Sequence, residues 1–490
     1  MTPDPRPIDH VLKGDPYAPA LIDGEGMMTF AQAEAAVAGL AGWLAEQGLE
    51  PGARVATWLP KTRIACLMPL AAPRAGLVHV PVNPALRRGQ VQHILADSGA
   101  ALLVTQDARA EALDVAANCR IVTAVNEGAA LGPSRADADV LAAILYTSGS
   151  TGRAKGVMLS HANLWLGAAS VATYLKLTPA DRVLGVLPLA FDYGQNQLFS
   201  TWYAGAAVAP LDYLTPRDVV KAVERVGATT LAGVPPLWVQ LLEADWPAET
   251  AARLARLTNS GGALTPQLVR ALRDRFPAAD VYAMYGLTEA FRSTYLDPAL
   301  IHAHPDSIGT AIPFAEVMAV RADGTRAASG EPGELVHAGP LVAQGYWRDP
   351  ERTAQRFRPA PAFAEHAGMA VWSGDTVVES EDGLFRFVGR DDEMIKTSGN
   401  RVSPGEVEEA ILMDGEVREA VAIGVADERL GQAIVAVVAG DPARELDLRA
   451  RLRADLPGFM QPARYVWHDA LPRNANGKLD RAALRAELAS

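Results

Sequence analysis

Short apolar runs alternate with helical stretches along the first two thirds of this chain. The runs stand at 54–60, 76–82, 101–105, 141–146, 182–189 and 229–234. Runs of this length between helical patterns are typical of buried strands in a sheet that helices cover on both faces. Ahead of them, Thr29 and Gln32 form a capping box, which predicts a helix that ends near Gly48. The chain is therefore predicted to be an α/β protein.

Two changes of pattern divide the rest of the chain. Beyond about residue 320, short strands with turn signals such as RADGT predict antiparallel hairpins. After 390, Ser403, Pro404 and Glu406 fit the N-cap, N1 and N3 positions of a helix, which two strands, a helix and a strand follow. We expect a large N-terminal domain, residues 1–391, of α/β layers with an antiparallel barrel-like portion. A small α+β C-terminal domain is expected over 392–490.

Composition excludes several classes of protein. The chain has 490 residues, of which 49% are apolar, and 57 acidic against 45 basic side chains give a net charge of −12. No basic cluster predicts a nucleic-acid partner, and no apolar run approaches the roughly 18 residues of a membrane helix. Cys66 and Cys119 are the only cysteines, which favours a reducing compartment. With no signal-peptide pattern at the N-terminus, we expect a cytoplasmic protein.

A strand that runs into a loop of small residues carries the clearest chemistry. Over 145–156 the chain reads LYTSGSTGRAKG. Backbone N–H groups and hydroxyls of such a loop can surround phosphate oxygens, and Lys155 can add a positive charge. The loop is not a Walker A motif, because Ala154 and Gly156 flank the lysine. The alternative is a flexible surface loop.

Five motifs occur in a characteristic order. They are YTSGSTGRAKGV at 146–157, MYGLTE at 284–289, WSGD at 372–375, GRDDEMIKTSGNRVSPGEVE at 389–408 and NGKLDR at 476–481. With them, the chain resembles the AMP-forming adenylate superfamily of acyl-CoA synthetases, firefly-type luciferases and nonribosomal-peptide adenylation domains. The resemblance implies that a carboxylate attacks the α-phosphorus of ATP, which yields an acyl adenylate and pyrophosphate. It also implies Mg²⁺, and a phosphopantetheine thiol of a carrier protein or of CoA as acceptor.

The resemblance further implies the residues that bind the nucleotide and catalyse the reaction. Tyr285 packs on adenine, and Asp375 accepts hydrogen bonds from the ribose, although Trp372-Ser373 departs from the usual residues before Gly-Asp. The implied ATP and AMP site comprises Thr147, Ser148, Gly149, Ser150, Thr151, Gly152, Gly261, Gly262, Ala263, Met284, Tyr285, Gly286, Asp375, Arg390 and Arg401. The implied catalytic residues are Lys155, Thr288, Glu289 and Lys478, with Glu289 also the Mg²⁺ ligand. Taken singly, Glu289 and Lys478 would be solvated surface charges.

By the same resemblance the C-terminal domain is mobile. Lys478 would enter the site during adenylation, and rotation about Asp392 would then bring in a different face of the domain. In that second arrangement Ser398 and Gly399 border the thiol tunnel, and Arg401 lies near phosphate.

The acid is indicated by Phe191-Asp192. Amino-acid adenylation domains have this pair, in which Asp receives the substrate's α-ammonium, and a buried carboxylate needs such a cationic partner. The alternative is that Asp192 caps a helix or pairs with a protein cation such as Arg292. The implied substrate pocket is Phe191, Asp192, Tyr193, Asn196, Gly233, Thr258, Ser260, Met284, Arg292 and Ser293.

This mixed pocket favours a small amino acid over a long alkyl chain. The leading hypothesis is activation of an amino acid such as proline and its transfer to a separate carrier protein. The alternative is an acyl-CoA synthetase for a short or substituted acid. Nothing in the sequence marks a luciferase-like oxygenase, and the presence of all five charged motif residues disfavours a non-catalytic relative.

Overall fold

The computed structural model describes residues 2–111, 113, 118–147, 154–262, 264, 266–390, 394–413, 417–472 and 479–489. Its strands are β1 (Pro19–Asp23), β2 (Gly26–Thr29), β3 (Arg54–Thr57), β4 (Val78–Pro81), β5 (Ala100–Val104), β6 (Arg120–Val122), β7 (Leu141–Thr147), β8 (Lys155–Ser160), β9 (Arg182–Gly185), β10 (Ala207–Pro210), β11 (Thr230–Gly233), β12 (Arg256–Asn259), β13 (Asp280–Tyr285), β14 (Thr294–Tyr295), β15 (Ser307–Ala311), β16 (Glu316–Val320), β17 (Pro332–Ala338), β18 (Gly345–Tyr346), β19 (Phe357–Pro359), β20 (Met369–Glu379), β21 (Phe385–Arg390), β22 (Ile395–Thr397), β23 (Asn400–Val402), β24 (Glu419–Asp427), β25 (Gly431–Ala439) and β26 (Arg464–His468).

The helices are α1 (Phe30–Ala45), α2 (Arg63–Arg74), α3 (Arg88–Ser98), α4 (Asp107–Ala110), α5 (His161–Tyr174), α6 (Asp192–Tyr203), α7 (Pro216–Val226), α8 (Pro235–Leu242), α9 (Ala248–Arg253), α10 (Pro266–Arg275), α11 (Pro350–Arg356), α12 (Pro404–Leu412), α13 (Glu445–Asp455) and α14 (Arg481–Ala489). The capping box predicted at Thr29 is present: the Thr29 hydroxyl accepts from the Gln32 N–H, and the Gln32 side chain accepts from the Thr29 N–H.

Two sheets with helices between and around them form the large N-terminal part. One contains β7-β4-β3-β5-β6 in parallel, with β8 and β18 antiparallel at one edge. The other contains β13-β12-β11-β9-β10-β1 in parallel. Helix α5 is buried along nearly its whole length and packs against α6, as a helix between two sheets must. The predicted α/β class is confirmed.

The antiparallel portion extends the second sheet. Strand β14 pairs with β13, and the order continues through β15, β21, β20, β17 and β16. The hairpins predicted beyond residue 320 are therefore present. They join the main sheet edge to edge, because β14 hydrogen-bonds to both β13 and β15.

The C-terminal part has a sheet and a core of its own. Its described strands run β23-β22-β25-β24, with β26 parallel to β25. Side chains such as Ile395, Val407, Ile411 and Leu452 form a cluster on one face of this sheet. Helix α12 begins after Ser403 with Pro404 at its first position, as predicted. The proposed border at 391/392 lies outside the described residues.

Within the described residues, no helix combines the length and the apolar character required to cross a bilayer. Both cysteines are buried free thiols.

Candidate active site

The phosphate loop connects two antiparallel strands. Thr147 ends β7 and lies opposite Lys155, the first residue of β8. The Thr147 hydroxyl is buried, lines the main cleft, and has no hydrogen-bond partner among the described residues. Residues 148–153, which include Ser148, Gly149, Ser150, Thr151 and Gly152, lie outside the described part.

Three side chains from three elements meet beside this loop. Lys155 Nζ lies 2.9 Å from Glu289 Oε1 and 2.8 Å from the Tyr346 hydroxyl, which donates to the same Oε1 at 2.7 Å. Glu289 lies in a 3-10 turn at Thr288–Ala290, directly after β13. Tyr346, at the end of β18, was not predicted from the sequence, because nothing in its sequence context distinguishes it from a tyrosine of the hydrophobic core.

The pKa values of this cluster favour an ion pair. Burial by itself raises the pKa of Glu289, but the charge of Lys155 and the Tyr346 hydrogen bond hold it well below its ordinary value. Burial lowers the pKa of Lys155, which the charge of Glu289 partly offsets. Burial and the charge of Glu289 raise the pKa of Tyr346, so that its hydroxyl stays protonated and donates. Arg401, on β23, adds a second positive charge that acts on Glu289.

These residues suit Mg²⁺ that is bound mainly through phosphate oxygens. Mg²⁺ in nucleotide sites takes one or two carboxylates and keeps its other positions for phosphate and water. Glu289 is the carboxylate of this cluster that would bind it.

The residues implied for adenine and ribose lie together on the antiparallel sheet. The Tyr285 hydroxyl, at the end of β13, donates a short hydrogen bond to Asp375 of β20. Asp375 is buried and lies opposite Arg390 in the β20–β21 register. The Arg390 side chain lies outside the described part. Gly286 lines the main cleft and packs closely against Arg292, since a Cβ at Gly286 would lie 2.9 Å from Cα of Arg292.

A turn after β12 supplies the other implied nucleotide contacts. Gly261 has φ +79°, and the carbonyl of Gly262 accepts from Asn259 Nδ2 at 2.9 Å. Gly261 lines the cleft, and Ala263 lies outside the described residues.

Asp192 begins α6 and is already paired within the protein. Arg292 Nη1 lies 3.1 Å from its Oδ2, and the Thr288 hydroxyl donates to its Oδ1 at 3.2 Å. The two charged side chains are only 3% and 2% exposed. Burial raises the pKa of Asp192, and the charge of Arg292 partly offsets that rise. The pairing with a protein cation, which was the alternative from sequence, is the one observed.

Most of the predicted substrate residues surround this pair. The Arg292 guanidinium lies 4.5 Å from the ring centre of Tyr193, whose hydroxyl is 2.7 Å from Thr258 Oγ1. Phe191 and Ser260 line the cleft, whereas Asn196 and Met284 line a small cavity beside Arg292.

Two predicted substrate residues contact protein groups away from these spaces. The Ser293 hydroxyl is 3.0 Å from Nδ1 of buried His337. Gly233, at the end of β11, packs under a tryptophan, since a Cβ there would lie 2.6 Å from the ring of Trp238.

The main cleft has a volume of about 1090 Å³ and is lined by both parts of the protein. From the C-terminal part come Ser398, Gly399 and Arg401, opposite Asp192, Thr288 and Glu289. Ser398 and Gly399 form the tight turn between β22 and β23, with φ of +51° and +75°. Gly399 sits against Val234, with no room for a Cβ between them. Asp392 and Lys478 lie outside the described residues.

Comparisons with known proteins agree with this arrangement. Residues 8–347 match the model of the AMP-binding enzyme family, and residues 406–478 match the model of the AMP-binding enzyme C-terminal domain. The chain is 30% identical over 504 residues to an L-proline--[L-prolyl-carrier protein] ligase of Pseudomonas fluorescens, with 98% of both chains covered.

It is also 32% identical over 469 residues to a linear gramicidin synthase protein of Brevibacillus parabrevis. There the match covers 93% of this chain but only 9% of that protein. Among solved structures, o-succinylbenzoate CoA synthetase of Bacillus subtilis, bound to a product analogue, superposes with a TM-score of 0.86 at 25% identity over 98% of both chains. The chain therefore belongs to the AMP-binding enzyme family, the ligases that adenylate a carboxylate with ATP and then form a thioester or an amide.

Proposed function

We propose that the protein converts a small carboxylic acid into an acyl adenylate and then transfers the acyl group to a phosphopantetheine thiol. The observation that carries this proposal is the composition of one cleft. It is lined at once by the Lys155–Glu289 pair, by the Asp192–Arg292 pair and by the Ser398-Gly399 turn of the C-terminal part. Phosphate, acid and thiol can therefore meet in a single space.

The first half-reaction needs neutralised phosphate charge and an aligned attack. The substrate carboxylate oxygen forms a bond to the α-phosphorus, the bond to the β-phosphate oxygen breaks, and pyrophosphate leaves. Lys155 would supply positive charge near these phosphates, and the Thr288 hydroxyl, which donates to Asp192 in this structure, would have to turn to donate to the α-phosphate. Mg²⁺ at Glu289 would neutralise phosphate charge when bound. Lys478 would add its charge only in the closed state, where it stabilises the transition state.

The second half-reaction is attack by the thiol sulfur on the acyl carbonyl. The thiol loses its proton, a thioester bond forms, the bond from the acyl carbon to the AMP oxygen breaks and AMP leaves. The Ser398-Gly399 turn at the cleft is the arrangement expected for this half, with residues 1–391 and 392–490 as the two bodies and Asp392 as the hinge.

For the acid, an amino acid such as proline is the first candidate, with a separate carrier protein as acceptor. It is supported by Phe191-Asp192 and by the similarity to the prolyl-carrier protein ligase. In this case the substrate ammonium must compete with Arg292 for Asp192.

A short or substituted acid without an ammonium group, with CoA as acceptor, is the second candidate. The Asp192–Arg292 pair favours it, because the charge of Asp192 is already compensated at 3.1 Å. The similarity to o-succinylbenzoate CoA synthetase agrees with such an acid.

The test is ATP–pyrophosphate exchange over a panel of proline, other amino acids, and short, aromatic and long-chain acids. We expect one class of small acid to be activated. Asp192→Asn should reduce exchange by about 100-fold or more if the acid is an amino acid, because the ammonium loses its buried anion. Activation of an acid without an ammonium group should be largely retained in Asp192→Asn.

Asp181→Asn is the control, since Asp181 forms a largely buried ion pair, with Arg256 at 2.6 Å, and neither residue lines the cleft. Absence of exchange with every acid would contradict the proposed adenylation.

A further inference from the structure

A second cavity lies beside Arg292, and neither Lys155 nor Glu289 is among the residues that line it. Its volume is about 20 Å³, enough for roughly one water-sized group. It is lined by residues of α5, α6, β9, β11, β12 and β13, and Arg292 borders both this cavity and the main cleft. Most of its exposed wall is apolar, but Asn196, Gln197, Ser200 and Thr230 are among the residues that line it.

Several polar atoms of this wall have no hydrogen-bond partner. Arg292 Nη2, Asn196 Oδ1, both side-chain polar atoms of Gln197 and Thr230 Oγ1 are buried without a partner in the part of the chain that the structure describes. None of these four residues is more than 6% exposed. The Tyr174 hydroxyl, which faces Arg292, donates to Met284 Sδ at 2.9 Å. Such a concentration of unpaired polar atoms is costly unless something polar occupies the cavity.

A line of contacts connects this cavity to the reacting end of the cleft. Thr288 is next to Glu289 in the chain, and its hydroxyl donates to Asp192. Asp192 pairs with Arg292, and Arg292 borders the cavity. Thr288 and Arg292 both line the main cleft and share Asp192 as a partner, so an acid whose carboxylate lies at Thr288 has Arg292 nearby.

Charge and hydrogen-bonding capacity narrow the group at that end. The Asp192–Arg292 pair is neutral, so a second carboxylate or a cation would add an uncompensated buried charge. A methyl group would leave all of these polar atoms without a hydrogen-bond partner. A hydroxyl group adds no charge, can accept from Arg292 Nη2 and can donate to Asn196 Oδ1 or Gln197 Oε1.

We propose that the natural acid carries a hydroxyl group at the end remote from its reacting carboxylate, and that Arg292 with Asn196, Gln197 and Thr230 selects that group. This inference rests on the proposed function of the same cleft and narrows its substrate class, with or without an α-amino group.

The test uses pairs of acids that differ by a hydroxyl in place of a methyl group. Suitable pairs are 3-hydroxypropanoate and butanoate, 4-hydroxybutanoate and pentanoate, 5-hydroxypentanoate and hexanoate, 4-hydroxybenzoate and 4-methylbenzoate, and threonine and valine. The readout is the ratio of kcat/KM within each pair in pyrophosphate exchange. We expect the hydroxy acid of at least one pair to be preferred by roughly 10- to 100-fold, the value of one hydrogen bond to a charged group.

Arg292→Lys keeps a cation beside Asp192 but removes the second guanidinium nitrogen, and Gln197→Met removes two polar atoms at nearly constant volume. Both variants should reduce the preference to within about threefold of unity, whereas misfolding would lower both members of a pair alike. Arg256→Lys, at the Asp181 pair, is the control and should leave every ratio unchanged.

Equal activation of both members in all pairs, or preference for the methyl acids, would overturn the inference; a cavity that holds only water predicts that result. Loss of exchange with every acid would contradict the proposed adenylation itself, and the inference with it.

Discussion

At the scale of single residues, the Lys155–Glu289 pair depends on the hydroxyl of Tyr346. Removing it in Tyr346→Phe leaves Glu289 with one hydrogen bond fewer, so its pKa should rise from the low value that Lys155 and Tyr346 impose. If Glu289 acts in its ionised form, as the proposed function requires, activity should then be lost at a higher pH on the acid side. We also expect exchange at neutral pH to fall roughly tenfold. Pyrophosphate exchange measured as a function of pH checks both expectations.

Tyr465→Phe is the control for this change, since Tyr465 is a buried tyrosine of the C-terminal part and lies outside the cleft lining. An acid limb and a neutral rate equal to wild type in Tyr346→Phe would show that the hydroxyl has no role in the cluster.

At the scale of elements, the turn between β22 and β23 brings the C-terminal part against the acyl pocket. Gly399 has φ +75°, and a Cβ there would collide with Val234. Gly399→Ala should therefore push the turn out of the cleft and slow transfer to the thiol by about tenfold or more. Pyrophosphate exchange should stay within about twofold of wild type, because the first half-reaction does not use this contact. Parallel assays of exchange and of thioester formation separate the two.

Gly383→Ala is a matched control. Gly383 also has a positive φ, +73°, but a Cβ there meets nothing within 4 Å. It should incur the same backbone strain and leave thioester formation unchanged. Equal losses in both variants, or a loss of exchange in Gly399→Ala, would contradict the role given to this turn.

At the scale of the whole molecule, polar side chains connect the N-terminal and C-terminal parts. Gln90 Nε2 of α3 donates to Glu406 Oε1 of α12 at 2.6 Å, although the sequence predicted Glu406 only as a helix-start residue. Burial at this contact, together with the charge of Glu409, raises the pKa of Glu406, and the Gln90 hydrogen bond partly offsets the rise. A raised pKa means that the docked state is favoured at low pH and weakened as pH increases through that pKa.

Glu406→Gln keeps an acceptor for Gln90 but removes the charge. Relative to wild type, its thioester formation should therefore increase as pH rises, while its pyrophosphate exchange keeps a constant ratio. Dividing the variant's rate of thioester formation by that of wild type at each pH removes the pH dependence of the thiol itself. Arg429→Gln is the control, because its contact with Glu243 at 3.4 Å is largely exposed and contributes little. If the ratio of thioester formation between Glu406→Gln and wild type did not change with pH, the Gln90–Glu406 contact would be excluded as the source of pH dependence.

Local patterns in the sequence determined much of the architecture. The α/β class, the helix that begins after Thr29, the hairpins beyond residue 320 and the helix that begins at Pro404 are all present. Each follows from interactions between residues close in the chain, such as capping, turn formation and the periodicity of apolar side chains. The family also followed from the sequence, because its motifs are contiguous.

Only the tertiary structure decided which partners these residues have. Asp192 and Arg292 are 100 residues apart, and Lys155 and Tyr346 are 191 apart, yet both pairs are in contact. No local pattern encodes such a pairing, because it depends on how sheets and helices pack. The same packing buries the unpaired atoms beside Arg292. The sequence thus determined the class of reaction, whereas the packing of distant side chains decided the charge balance around Asp192.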